Sequence, residues 1–305
     1  MPVLSPRTTL LLAFAAVYVI WGSTYFAIRV VLETLPALLF AGVRFLIAGG
    51  LLLGWGLARG APSPTRAQWR SAGIVGGLLF LGGNGGVVLA TQWVPSGLVA
   101  LLVATVPLWM VLLDWAFFSR ARPGPRVVVG VLAGLGGIGL LYGSEGMGAS
   151  DPRQILGAGL VLAGSLAWAA GSMLGRDVDK PVSPRMWVGM QMLAGGALLV
   201  PVALLRGEAA GLDLGAVSLR SGLAMGYLIV FGALVAFSAY IHLLQNTTPT
   251  RVGTYAYVNP VVAMALGFWL ADEPLTPRSL MASAVILGAV VLIGTVKAPV
   301  NPARG

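Results

Sequence analysis

Apolar runs of about 20 residues recur from Leu10 to Val296, separated by short stretches rich in arginine, proline and glycine. That length matches helices crossing a hydrocarbon layer about 30 Å thick. The period-2 alternation of a membrane β-strand is absent, so the pattern predicts an all-α integral membrane protein. Ten spans are expected, over 10–31, 36–58, 71–92, 97–118, 127–143, 155–175, 185–205, 220–245, 251–271 and 279–297. The first run passes straight through Trp21 to Val31 without a cleavage-type stretch, so it is read as a span rather than a signal sequence. Near the end, "AYVNPVVAMALGFWLADEP" places Asn259 and Pro260 inside an apolar run and closes it with Asp272 and Glu273. A proline there removes a backbone hydrogen bond where no water can replace it.

Composition agrees with a bilayer protein. Of 305 residues, 57% are hydrophobic and 10% charged, and the mean hydropathy is +0.89. There is no cysteine, which excludes disulfides, thiolate metal sites and a cysteine nucleophile. His242 is the single histidine, so a multi-histidine metal site is excluded, and no cofactor is expected. Lys180 and Lys297 follow no phosphate-binding loop; this chain does not itself hydrolyse nucleotides, and no ATPase subunit is implied. The net charge of +9 is spread over short loops rather than gathered in a patch, which argues against nucleic acid.

Basic residues favour alternate loops. Thirteen lie on the side of the N-terminus, among them Arg59, Arg66, Arg70, Arg120, Arg122 and Arg126, against five on the other side. By the positive-inside rule both termini are cytoplasmic.

The chain also repeats itself. "WGSTYFAIR" from Trp21 aligns with "WAAGSMLGR" from Trp168, and "RFLIAGG" from Arg44 with "QMLAGG" from Gln191, both 147 residues on. "VPSGLVALLVATVPLW" from Val94 resembles "TPTRVGTYAYVNPVVA" from Thr248, pairing Pro107 with Pro260. The halves are placed at 1–147 and 148–305. Five spans per half is odd, so the halves enter the membrane from opposite sides, the inverted architecture of secondary transporters. Pro107 and Pro260 are then candidate kinks or hinges, although many membrane helices carry a packed structural proline.

The segments "WGSTYFAIR", "AGVRFLIAG", "GGNGG", "VPSGLVALLVATVPL", "AYVNPVVA" and "ADEPLT" run from the first span to the last. As a set they resemble the drug/metabolite transporter superfamily, in its ten-helix EamA group and YedA-type subgroup. The resemblance implies two inverted five-helix repeats around a central cavity lined mainly by spans 1, 3, 4, 6, 8 and 9. It also implies a bacterial inner-membrane location and export of drugs or metabolites; direction rests on the resemblance alone. Members usually carry an acidic residue after the fourth span of each half. Here the second half keeps Glu273, while the first ends "FFSRARP" without one.

A neutral set is placed to line such a cavity: Trp21, Ser23, Thr24 and Tyr25 in span 1, Asn84 in span 3, Thr105 and Trp109 in span 4, Trp168 and Ser172 in span 6, Tyr240 in span 8, and Tyr255, Tyr257 and Asn259 in span 9. Gln92, Ser165 and Gln245 complete the polar inventory. Tryptophans and tyrosines also form interfacial belts, but Trp21 and Trp168 lie midway along their spans. Arg44 is a charge inside a span, either meeting a substrate carboxylate or held by a carbonyl or Asp114. Asp114, His242 and Glu273 are the proton-coupling candidates. Each has a structural alternative: an interfacial cap for Asp114, a satisfied polar contact for His242, and a cap at the start of the next helix for Glu273.

The leading expectation is therefore an alternating-access carrier exporting amino acids, related metabolites or amphipathic drugs. Its partners are the lipid bilayer and a small-molecule solute. A multidrug carrier without amino-acid transport is the close alternative. A channel, or an intramembrane protease using Ser23 or Ser165 with His242, is a weaker one, since no GxSxG-type stretch surrounds either serine.

Overall fold

The computed structural model describes residues 5–118, 122–142, 151–181, 183–247, 252 and 254–294. Among the described residues the chain is helical and contains no strand. In chain order the helices are α1 (Pro6–Val31), α2 (Ala37–Ala58), α3 (Arg66–Ala90), α4 (Ser96–Phe118), α5 (Pro125–Leu140), α6 (Pro152–Arg176), α7 (Pro184–Leu205), α8 (Leu219–Leu243), α9 (Tyr255–Ala271) and α10 (Pro277–Ile293). Seven are long and apolar enough to cross a membrane; α5, α9 and α10 are shorter. The expected boundary between halves at residues 147 and 148, and the expected start of span 9 at 251, lie outside the described residues.

Local chemistry sets the helix starts. α3 begins five residues before its apolar run because Thr65 and Gln68 form a capping box: Thr65 Oγ1 accepts from Gln68 N at 3.2 Å, and Gln68 Oε1 accepts from Thr65 N at 3.1 Å. α6 opens on Asp151, whose carboxylate accepts from Arg153 N at 2.9 Å. Both starts extend apolar spans with polar turns that belong at a membrane surface.

Several spans are not uniform α-helices. They widen to π winding over Val17–Trp21 in α1, Gly77–Asn84 in α3, Asp114–Phe118 in α4 and Leu228–Val235 in α8. In α4 the α-helical ladder stops at Ala104 and Thr105, just ahead of Pro107, which has no N–H to offer Val103. Thr105 Oγ1 donates to Leu102 O at 2.6 Å and so supplies a local partner at the break. Pro260 behaves differently, because α9 remains helical through it.

The helices pack in a regular scheme. α2 lies along α7 and α5 along α10; α1 contacts α8 and α9, while α6 contacts α3 and α4; α4 meets α9. Replacing each helix by the one five places on maps each of these contacts onto itself or another of them, while the smaller α1–α4 and α4–α10 contacts have no comparable counterpart. In the α2–α7 seam Gly42 faces Val200, Gly49 faces Gly189 and Leu193, and Gly56 faces Met186, so the two helices run antiparallel. The seam needs glycine at its centre, since a Cβ on Gly49 would stand 2.6 Å from Gly189 O and one on Gly189 would stand 3.0 Å from Gly49 O. Between helices in lipid such close backbone approach, rather than hydrophobic burial, supplies the attraction. Large apolar side chains such as Trp269 and Leu205 point outward from the helical bundle.

Candidate functional site

One aromatic and polar group forms where α1, α8 and α9 converge. Trp21 ends the π turn of α1, and its indole Nε1 donates to Gly232 O at 3.1 Å, inside the π segment of α8. Its ring centroid lies 5.1 Å from Phe237, 5.2 Å from Tyr240 and 5.2 Å from Tyr255. These are the offset and edge-on separations that aromatic quadrupoles favour. With its amide nitrogen facing the acceptors, Asn259 donates to Tyr18 O and Tyr255 O, each at 3.2 Å. This ties the wound turn of α1 to α9 one residue before Pro260. Tyr18 OH and Thr254 Oγ1 share a hydrogen bond at the same junction. Ser23 Oγ donates to Ile20 O at 2.9 Å and lies 2.6 Å from Tyr227 OH, while Thr24 Oγ1 donates to Trp21 O at 2.6 Å. Tyr25, one turn on from Trp21, packs against the main apolar core.

A second group lies among α2, α3 and α6. Arg44 is 5% exposed, and its Nη2 donates to Asn84 Oδ1 at 3.3 Å. Its guanidinium carbon sits 4.2 Å from the centre of the Phe45 ring. Phe45 contacts Phe80 at 4.5 Å between centroids, and Phe80 reaches Trp168 at 6.3 Å. Gly83 lets Trp168 approach, since a Cβ there would stand 3.0 Å from the indole. Arg44 Nε, Trp109 Nε1 and Ser165 Oγ are buried without a hydrogen-bond partner. Among the described residues no carboxylate forms an ion pair with Arg44, so the expected alternative of an Arg44–Asp114 pair is not what the structure holds.

Other predicted residues do not join either group. Tyr257 donates its hydroxyl to Val290 O at 3.2 Å and so faces α10. Thr105 is fully buried in the break of α4. Ser172 lies one turn beyond Trp168 on α6, half-buried. Asp114 is half-buried at the start of the π turn that ends α4. His242 pairs with Asn246, four residues on in the chain, whose amide nitrogen lies 3.3 Å from Nδ1. Gln92 is exposed and donates to Leu89 O, and the Gln245 side chain lies outside the described residues.

Glu273 caps a different helix from the one expected. Its Oε1 accepts from Ser96 N at 2.8 Å and its Oε2 from Gly97 N at 3.1 Å, so it closes the N-terminus of α4 rather than α10. Arg29 Nη1 lies 3.1 Å from Oε1 and completes the arrangement. The chain turns into this position through Asp272, which has a left-handed φ of 50°, and Glu273 N donates back to Gly267 O at 3.0 Å. Glu208 does the same for α2, accepting from Leu38 N at 2.8 Å and Leu39 N at 3.0 Å. Glu208, Tyr18, Tyr227 and Phe237 are not among the residues predicted from the sequence. The three-residue spacing of Phe237 and Tyr240, which puts both on one helical face, was a usable signal for one of them.

Two clefts of about 240 Å³ each lie apart from these groups, and neither is lined by Trp21, Asn259, Arg44, Asn84 or Trp168. One, at the Arg29 end of α1, is walled by Arg29, Glu33, Arg220 and Asp272; the other is apolar and runs between α3 and α6 past Gly82, Gly86 and Gly164.

Comparison with known proteins places this geometry. The EamA-like transporter family matches residues 8–143 and 155–295. The uncharacterized inner membrane transporter YedA of Escherichia coli K12 is 43% identical over 283 residues, covering 92% of this chain and 89% of YedA. Protein PecM of Dickeya dadantii is 28% identical, covering 90% of this chain and 88% of PecM. A protein of known crystal structure superposes with a TM-score of 0.63 at 23% identity, covering 94% of this chain and 98% of that one, which is a likeness of fold. The chain is a multi-pass inner-membrane transporter and belongs to the EamA-like transporter family of the drug/metabolite transporter superfamily.

Proposed function

We propose that the protein is a secondary exporter of small organic solutes that works by alternating access between two inverted five-helix halves. The observation that carries this reading is the packing scheme, whose main contacts survive exchange of each helix with the one five places on. Two halves that enter the membrane from opposite sides and exchange their contacts with one another in this way have two equivalent ways to close, one on each side of the membrane. Further support comes from the antiparallel α2–α7 seam, from the family match to each half, and from the eight-residue π segments at Gly77–Asn84 and Leu228–Val235 in the third helix of each half. The break before Pro107 gives α4 a place to bend.

The aromatic group around Trp21 favours solutes with an apolar or aromatic part: amino acids, related metabolites or amphipathic drugs. Both termini are assigned to the cytoplasm on the loop charges. Proteoliposome counterflow tests the reading, with unlabelled solute loaded inside and uptake of the same labelled solute followed. Saturable counterflow that Trp21→Ala abolishes is expected. Flux that neither saturates nor shows counterflow identifies a channel and rejects the carrier.

A further inference from the structure

We infer that the outer half of α1, from Gly22 to Val31 and away from the cytoplasmic termini, is the outer gate of the carrier, latched shut by Arg29 on Glu273 and by Glu33 on Arg220. This rests on the carrier reading above and names the element that opens towards the outside.

Polar contacts crowd this end of α1. Arg29 Nη1 lies 3.1 Å from Glu273 Oε1, and Arg220 Nη1 of α8 lies 3.1 Å from Oε1 of Glu33, in the turn after α1. Ser221 Oγ of α8 donates to Val30 O at 2.8 Å, and Ser218 N donates to Thr34 Oγ1 at 3.3 Å. Each contact runs from the first five helices to the last five, so a movement that parts the halves on this side must break it. The cytoplasmic end of α1 is held differently. There Ala13 and Val17 form an apolar cluster with Leu243 and Val252, and among the described residues no ion pair is found at that end.

The outer half of α1 is jointed to the rest. Val17–Trp21 is wound as a π turn, and helices bend at such turns. Trp21 and Asn259 fasten the turn to α8 and α9. Just beyond it Gly22 lies so close to α9 that a Cβ would stand 2.6 Å from Val262 Cβ. The joint is therefore fixed, and the ten residues beyond it form a lever about 15 Å long. A cleft of about 240 Å³ runs beside the lever between α8 and α9, so Arg29, Glu33 and Arg220 border open space rather than a packed core.

The latches can also release at low cost. Arg29 is 41% exposed, Arg220 59% and Glu33 40%, and ion pairs at such exposure hold weakly. Glu273 keeps its bonds from Ser96 N and Gly97 N when Arg29 leaves, so the buried carboxylate stays hydrogen-bonded and α4 keeps its cap. The moving part is thus α1, while the turn that carries Glu273 stays on α4.

The test exploits the absence of cysteine, since one introduced thiol then reports one place. Ser23 is half-buried at the base of the lever, beneath the latches. Full-length Ser23→Cys protein in spheroplasts, which present the outer membrane face, is labelled with a membrane-impermeant maleimide. Adding Arg29→Gln and Glu33→Gln should raise the labelling rate about 3–10-fold, the shift expected when two exposed pairs are lost. Glu33→Arg should also raise it, and combining Glu33→Arg with Arg220→Glu should return it to the rate of the Ser23→Cys parent, which separates a latch from general loosening. An unchanged rate in the latch variants, or a raised rate that the charge swap fails to lower, overturns the gate and leaves the carrier reading in place. Latch-dependent labelling in a protein whose solute flux shows neither saturation nor counterflow leaves the gate and rejects the carrier.

Discussion

Glu273 offers a sharp separation between a structural and a coupling role. Its carboxylate is 6% exposed and accepts from two backbone donors, Ser96 N and Gly97 N, at 2.8 and 3.1 Å. Hydrogen bonds to a charged group contribute about 1.5–3 kcal/mol each, and the negative charge also complements the positive end of α4. In Glu273→Gln the amide oxygen keeps one neutral bond while the amide nitrogen is turned towards the other donor. The expected loss is about 3 kcal/mol. Arg29 is 41% exposed, so solvent screens its pair with Glu273, and Arg29→Gln should cost about 1 kcal/mol or less. SDS-induced unfolding in mixed micelles, followed by tryptophan fluorescence, measures both variants and the double variant. Counterflow at neutral and acidic outside pH supplies the second readout: a cap leaves the pH response of Glu273→Gln as in the wild type. A Glu273→Gln variant within about 0.5 kcal/mol of the wild type, or one that loses its pH response at full stability, would refute the capping argument.

Three further outcomes are expected. Gly49→Val forces a Cβ against Gly189 O, so it should separate α2 from α7 and cost about 3 kcal/mol, read as lost monodisperse protein on size exclusion and earlier unfolding. Tyr257→Phe removes the bond to Val290 O and should cost about 1 kcal/mol in the same unfolding assay without changing half-saturation in counterflow; a changed half-saturation would place Tyr257 at the substrate. Pro107→Ala restores a donor towards Val103 and closes the break at Ala104 and Thr105, so the initial counterflow rate should fall at unchanged solute affinity, and an unaltered rate would remove α4 bending from the mechanism.

Much of the architecture is legible in the chain because hydropathy is a local property. A run of apolar residues long enough to cross lipid must be helical, since every backbone group has to find its partner within the run. The helices therefore appear where the apolar runs are, and the recurrence of Trp21 at Trp168 and of Pro107 at Pro260 is the ground in the sequence for expecting two kindred halves. Paired prolines nevertheless did not carry paired geometry: α4 breaks ahead of Pro107, and α9 continues through Pro260. The π winding of α1, α3, α4 and α8 had no signature in a hydrophobic pattern; in α1 and α8 it accompanies bonds from Asn259 to Tyr18 O and from Trp21 to Gly232 O, which join residues far apart in the chain.

What the sequence by itself determined is thus the membrane, the helical spans and the stock of polar side chains within them. Tertiary structure alone decided which of those side chains meet. Tyr255 and Tyr257 are two residues apart and equal in composition, yet one faces Trp21 and the other Val290, since two steps along a helix turn a side chain to the opposite side. Glu273 was recognisable as a cap, but its donors are 177 and 176 residues away in the chain. Arg44 stood out as an expensive charge, while the neutrality of its partner Asn84 and the unmet Nε–H arise only from the packing of α2 against α3. Helix formation is settled by neighbours along the chain, whereas a site is settled by neighbours across it, and the sequence does not state those distances.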